Sequence, residues 1–173
     1  MRDISLHLLD IAENAVAAGA TAVDIEIVEE ESEHLLRMSV KDNGRGMDPT
    51  ELSHAMDPFY STKEKRKIGL GLPFLQQACE MTGGELLIHS AIGRGTEVQA
   101  VFKTDHVDCL PLGDISSTVL VLVLANPEVH ITYRHVRGRR TFSFDSRRSG
   151  GALGQHSYGT IRRSVCETHN DLE

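Results

Sequence analysis

DNGRGMDP, residues 42–49, packs two glycines, an Asn, a Pro and two acids between a strand-like run and a helix-like run. Three structures suit such a stretch: a surface turn, a calcium loop, or the floor of a ligand pocket. The calcium loop fails on spacing. An EF-hand loop needs oxygen ligands at positions 1, 3 and 5 and a Glu at 12. Counted from Asp42, those places after the first hold Gly44, Gly46 and Ser53. Taken alone, DNG is as good a turn as a pocket floor, so the choice depends on its neighbours.

The preceding run, LLRMSV (35–40), alternates apolar and polar residues, as does AVDIEIV (22–28). Each reads as a half-buried strand, and the acidic EEESE (29–33) between them reads as a solvated turn. Further upstream, ISLHLLDIAENAVAA (4–18) has apolar residues at helical spacing, and Gly19 follows as a stop. Asp10 and Asn14 share the polar face of that helix, with Glu13 beside them.

Downstream of the octapeptide, PTELSHAM (49–56) reads as a short helix with Asp48 as N-cap and Pro49 in its first turn. DPFYSTKEKRKIG (57–69) is polar, basic and aperiodic, a loop. LGLPFLQQACEMT (70–82) is helical and ends at Gly83-Gly84. ELLIHSA (85–91), IGRG (92–95) and TEVQAVFK (96–103) form a second hairpin. Helix, two strands, two loops, helix and two strands predict an α+β two-layer sandwich. Its sheet is mixed and mostly antiparallel, with the helices on one face.

Residues 105–145 differ in kind, so a division at 1–104 and 105–145 is expected. LPLGDISSTVLVLVLANP predicts a helix that starts near Asp114 and stops at Asn126-Pro127. EVHITYRHVRGRRTFSFD predicts a basic hairpin turning near Gly138. The apolar stretch 119–124 packs on the core or forms a homodimer contact. The hairpin's Arg134, Arg137, Arg139 and Arg140 read as a solvated charged face rather than a docking site. From residue 146 to 173 periodicity is lost and a poorly ordered tail is expected.

Charge and cysteines narrow the function classes. Residues 1–102 hold 9 Lys/Arg and 17 Asp/Glu, a net of −8, while residues 103–173 hold 9 and 8, a net of +1. An acidic main body argues against general nucleic-acid binding. Cys79, Cys109 and Cys166 show no CxxC spacing and read as reduced thiols of a cytoplasmic protein. No apolar run approaches the roughly 20 residues of a membrane span.

Other elements tip DNGRGMDP towards a pocket. A carboxylate at a strand end, Asp42, is a fixed acceptor suited to the exocyclic amine of a purine. Gly44 and Gly46 remove side chains where a flat ring would approach the backbone. IGLGL (68–72) runs into a helix N-terminus, where backbone N–H groups favour phosphate. Neither the Walker A pattern nor GxGxxG after a strand is present. Lys63, Lys65, Arg66 and Lys67 lie just before it. The Asn14 amide oxygen suits Mg²⁺.

In order, these boxes are Asn14 on the first helix, DNGRGM, DPFYSTK, GLGL and the hairpin ending GRGT. The order resembles the GHKL ATPases with the Bergerat fold, over roughly residues 4–103. That superfamily includes topoisomerase II B subunits, a chaperone family, histidine kinases and mismatch-repair ATPases. The second half looks most like a histidine-kinase catalytic domain, and ENAVAAGATAVDIEI looks more like the mismatch-repair type. The resemblance implies ATP and Mg²⁺ as cofactors. Asn14 would coordinate Mg²⁺, and Asp42 would bond the adenine amino group with Thr96 helping through water. Gly44, Gly46 and Met47 would line the base. Phe59 belongs with Tyr60 to the phenylalanine box, and Lys63 would meet phosphate. Gly69, Leu70, Gly71 and Leu72 would form the phosphate-side turn. Lys67 departs from the family's GTGLGL by replacing its first glycine. Asp10 stands where related enzymes carry a Glu as general base; it is that base, or only a group behind the Mg²⁺ ligands or on the surface.

A phosphoacceptor histidine on an upstream dimerisation helix is not found, and His7 reads as an ordinary helix histidine. The expectation is a free-standing kinase or ATPase module acting on or with a separate partner protein. The alternatives are a non-catalytic ATP sensor and a nucleic-acid-linked ATPase.

Overall fold

The computed structural model describes residues 3–57 and 71–148. Its elements are α1 (Ile4–Ala17), β1 (Ala22–Glu30), a 3₁₀ turn (Glu31–Glu33), β2 (Leu35–Asp42), α2 (Pro49–Met56) and α3 (Gly71–Met81). β3 (Glu85–Ala91), β4 (Gly95–Lys103), α4 (Ile115–Ala125), β5 (His130–Arg137) and β6 (Arg140–Asp145) complete the order. The six strands form one sheet in the order β3-β4-β2-β1-β5-β6. Every neighbouring pair is antiparallel except β1 and β5.

The alternation read in the sequence sorts each strand's side chains between two faces. Val23, Ile25 and Ile27 of β1, Met38 and Val40 of β2 and Val98, Ala100 and Phe102 of β4 are buried in one core. Helix α1 contributes Ile4, Leu8, Ile11, Ala12 and Ala15 to the same core. Its N-cap is Asp3, whose carboxylate accepts the Leu6 N–H. The 22–28 strand runs on to Glu30, so only residues 31–34 turn, and His34 takes φ +52° to close it.

The segment after Lys103 is built into the same sheet and core. Asp114 caps α4 and Asn126 ends it. Ile115, Val119 and Leu122 are buried, as are Tyr133, Phe142 and Phe144 of the hairpin. Ile4 and Ser5 at the start of α1 donate to the Pro111 and Leu112 carbonyls at 3.0 and 2.9 Å. The expected tail falls almost wholly outside the described residues.

On the sheet's open face, register partners across the parallel pair carry complementary side chains. Thr132 donates to Asp24, and Arg134 pairs with Glu26. Arg137 pairs with Glu31 at 2.9 Å. Arg134 and Arg137 of the hairpin therefore meet the acids of β1 and its turn. Among the described residues no helix is long and apolar enough to cross a membrane.

Candidate functional site

β2 runs between β1 and β4 and ends at Asp42, whose Oδ1 accepts the Gly44 N–H at 2.7 Å and the Thr96 N–H at 3.3 Å. Asn43 anchors the loop on its other side. Its Oδ1 accepts the Thr21 and Ala22 N–H groups, each at 2.9 Å. The chain then passes over the β3–β4 turn. Gly93 N–H donates to the Arg45 carbonyl at 2.8 Å, and Met47 N–H donates to Ser90 Oγ at 2.9 Å. Ser90 Oγ lies 2.8 Å from Thr96 Oγ1. Asp48 then starts α2 with a reciprocal cap, its carboxylate on Glu51 N–H and the Glu51 carboxylate on its own N–H.

This anchored loop forms one wall of a cavity of about 410 Å³, a size that suits a small molecule. Ile11, Asn14 and Ala15 of α1 and its C-cap residue Ala18 form a second wall, spaced at i, i+3, i+4 and i+7 along one stripe. Leu72 of α3, Ala55 of α2 and Val98 of β4 add apolar surface. Polar groups are few: Asn14, Asp42, Thr96, and Arg45 paired with Glu51 at 3.0 Å. The Asn14 amide and the second Asp42 oxygen bond no described residue.

Of the residues singled out in the sequence, Asn14, Asp42, Gly46, Met47, Leu72 and Thr96 line this one cavity. Gly44 is buried behind it, where a methyl group would come within 3.0 Å of the Ala18 carbonyl and of Asp42 Oδ1. Asp10 and Gly71 are not in the lining; they touch each other beyond its edge, one residue from Ile11 and Leu72. Phe59, Lys63, Gly69 and Leu70 lie outside the described residues, as does the rest of the basic loop from 58. Sequence reasoning missed Ile11, Ala15 and Ala18, although the helical stripe that carries Asn14 contains them. It also missed Ser90, which no local pattern marks.

Burial pushes the carboxyls of both Asp10 and Asp42 above the ordinary range; for Asp42 the two N–H bonds oppose that rise. A raised carboxyl supports folding fully below the unfolded value near pH 4 and loses that support as pH climbs through the folded value. Asp10→Asn is therefore expected to melt above the wild type at neutral pH. The difference should close as pH falls below about 4. A melting difference that stays constant across that range would contradict a half-buried carboxylate with no partner among the described residues.

Residues 2–106 match the family described as "Histidine kinase-, DNA gyrase B-, and HSP90-like ATPase". The chain belongs to this family. As a histidine-kinase-like ATPase domain it is similar to sporulation kinase C of Bacillus subtilis, at 47% identity over 64 residues, which cover 37% of this chain and 15% of that protein. It is also similar to the sensor histidine kinase ZraS of Klebsiella oxytoca, at 37% identity over 89 residues, covering 51% and 19%. The chain thus spans less than a fifth of the length of these curated relatives. Among solved structures, the N-terminal domain of a DNA repair protein aligns with a TM-score of 0.58 at 13% identity, covering 96% of this chain and 57% of that one. The Aquifex aeolicus MutL ATPase domain complexed with ADP aligns at 0.50 and 19% identity, covering 96% and 70%. These structural likenesses reach across β5 and β6 and identify the fold.

Proposed function

We propose that this domain binds ATP with Mg²⁺ in the α1–DNGRGM cavity and transfers or hydrolyses the γ-phosphate, acting on or with a separate partner protein in the cytoplasm. The observation that carries this reading is the convergence of Asn14, Asp42 and Thr96 on one mostly apolar cavity, in a chain of this family. Apolar walls from α1 and Met47 suit the two faces of a base, and the free Asp42 oxygen suits its exocyclic amine. Asn14 would hold Mg²⁺, while Gly44 and Gly46 allow the loop backbone its close approach to the base.

The residues present fit a magnesium ion in one way. Asn14 supplies a single neutral oxygen donor with no bond to a described residue, and no cluster of three or more acids, histidines or cysteines stands among those residues. Water and the nucleotide's own phosphates would complete such a shell. When bound, the ion neutralises charge on the transferring phosphoryl group. Asp10, on the same helix face one turn before Asn14, would accept the proton of the attacking water or hydroxyl. Phe59, Lys63, Gly69, Leu70 and Gly71 would close the phosphate side.

A second reading, an ATP sensor without turnover, is favoured by one observation: Asp10 stands outside the cavity lining. ATP titration with and without Mg²⁺, followed by γ-phosphate release, separates the readings. Turnover that depends on Mg²⁺ and drops about 100-fold or more in Asp10→Asn fits the enzyme, the usual scale of a lost general base. Binding in both proteins with turnover in neither leaves the sensor. No ATP binding removes both.

A further inference from the structure

Gly71 opens α3 and is buried, and what surrounds it differs from the surroundings of Gly46, Gly84 and Gly95. At Gly46, Gly84 and Gly95 an added methyl group would strike main-chain carbonyls. At Gly71 the three nearest atoms all belong to Asp10. Oδ2 would lie at 1.6 Å, Cγ at 2.8 Å and Cβ at 3.6 Å. Gly71 opens a helix without a positive φ, and among the described residues outside its own helix the Asp10 side chain is what an added methyl group would meet first.

Among the described residues the Asp10 side chain has no other polar hold. Its carboxylate bonds no described residue, and burial rather than pairing raises its proton affinity. The neighbours of the touching pair, Ile11 and Leu72, are cavity walls. The notch at Gly71 is therefore the contact, among the described residues, that receives this carboxylate.

We propose that Gly71 is a positioning residue for Asp10: the missing side chain at the first position of α3 is the seat that holds the Asp10 carboxylate just outside the cavity lining. This role adds to any contact of the glycine with phosphate and is separable from it. Its catalytic consequence rests on the proposed ATPase function; its structural consequence does not.

A double-mutant cycle over Gly71→Ala and Asp10→Ala tests it, because Asp10→Ala leaves only the ordinary 3.6 Å contact at Cβ. Alone, Gly71→Ala should lower the melting temperature by about 5 °C, a typical overpacking effect. In the Asp10→Ala background the same change should be neutral or raise it, since alanine is the better helix former. If Gly71→Ala is insoluble, recovery of a folded protein in the double variant supports the seat equally. In turnover, Gly71→Ala should lower kcat about 10-fold or more with KM for ATP changed less than about 3-fold, as expected when a proton acceptor is misplaced. It should add nothing once Asp10 is absent. Equal melting losses in both backgrounds would overturn the proposal, as would an equal rise in KM in both. A wild type that binds no ATP would sink the functional reading, and the melting cycle would still decide the seat.

Discussion

Replacing Asp42 with Asn is expected to weaken adenine nucleotide binding by about 10- to 150-fold while making the unliganded protein more stable. The loss follows from how the carboxylate is used. Oδ1 is committed to the Gly44 and Thr96 N–H groups. That leaves the other oxygen of this cavity-lining residue as the acceptor for a ligand. Asn can keep the first set of bonds, but it then turns an NH₂ group towards the place of an exocyclic amine, donor against donor. Removing one hydrogen bond to a charged group costs about 1.5–3 kcal/mol, which gives the range stated. The gain in stability has a separate cause. Burial raises the Asp42 carboxyl, so the charged form is disfavoured in the fold and its support for folding is lost as pH rises through the folded value. The amide carries no such charge. Calorimetric titration with ATP and a thermal melt at neutral pH measure both effects. Guanine presents a carbonyl where adenine presents the amine, so the preference for ATP over GTP should narrow in the variant. Unchanged ATP affinity in a well-folded variant would show that the base binds elsewhere.

How far the site could be read beforehand depended on whether the information was local. Helix α1 declared itself through its apolar spacing, and its polar stripe offered Asn14 directly. Asp48 and Pro49 announced α2, and the structure shows the full cap with Glu51. By contrast, nothing local says that the 130–145 hairpin lies parallel to β1. That register is fixed by pairs 108 residues apart, such as Thr132 with Asp24 and Arg134 with Glu26. A change in composition at about residue 105 marks an appended helix and hairpin, and local patterning cannot see the pairs that join it to β1. The glycines divide in the same way. Each was visible as a glycine, but its reason was not: Gly44 makes room for Ala18, Gly71 for Asp10 and Gly46 for the β3–β4 turn. Each reason is a contact with a part of the chain that only folding brings near.

Gly46 carries the largest structural expectation. A methyl group there would lie 1.9 Å from the Ala91 carbonyl oxygen, 2.6 Å from its carbon and 3.1 Å from the Gly95 oxygen. All three are main-chain atoms of a paired hairpin, so no side chain can swing aside. Gly46 also holds φ +69°, a conformation that costs an ordinary residue about 1–2 kcal/mol. To admit the methyl group, the loop must lift from the turn. That would strain the Gly93 N–H bond to Arg45 and the Met47 N–H bond to Ser90, each contributing about 1 kcal/mol. Gly46→Ala is therefore expected to cost about 4 kcal/mol or more in denaturant unfolding, a large share of the 5–15 kcal/mol typical of a folded domain. Gly19→Ala is the control. Gly19 holds φ +79° with nothing within 4 Å of the added group, so it should lose only the conformational share, about 1–2 kcal/mol. Equal losses at the two positions would mean that the loop is not clamped to the turn. A much larger loss at Gly46, with weakened ATP binding in whatever fraction folds, would mean that the turn sets the cavity wall. In that case Met47 and Thr96 hold their places because Ser90 joins them across the seam that Gly46 keeps closed.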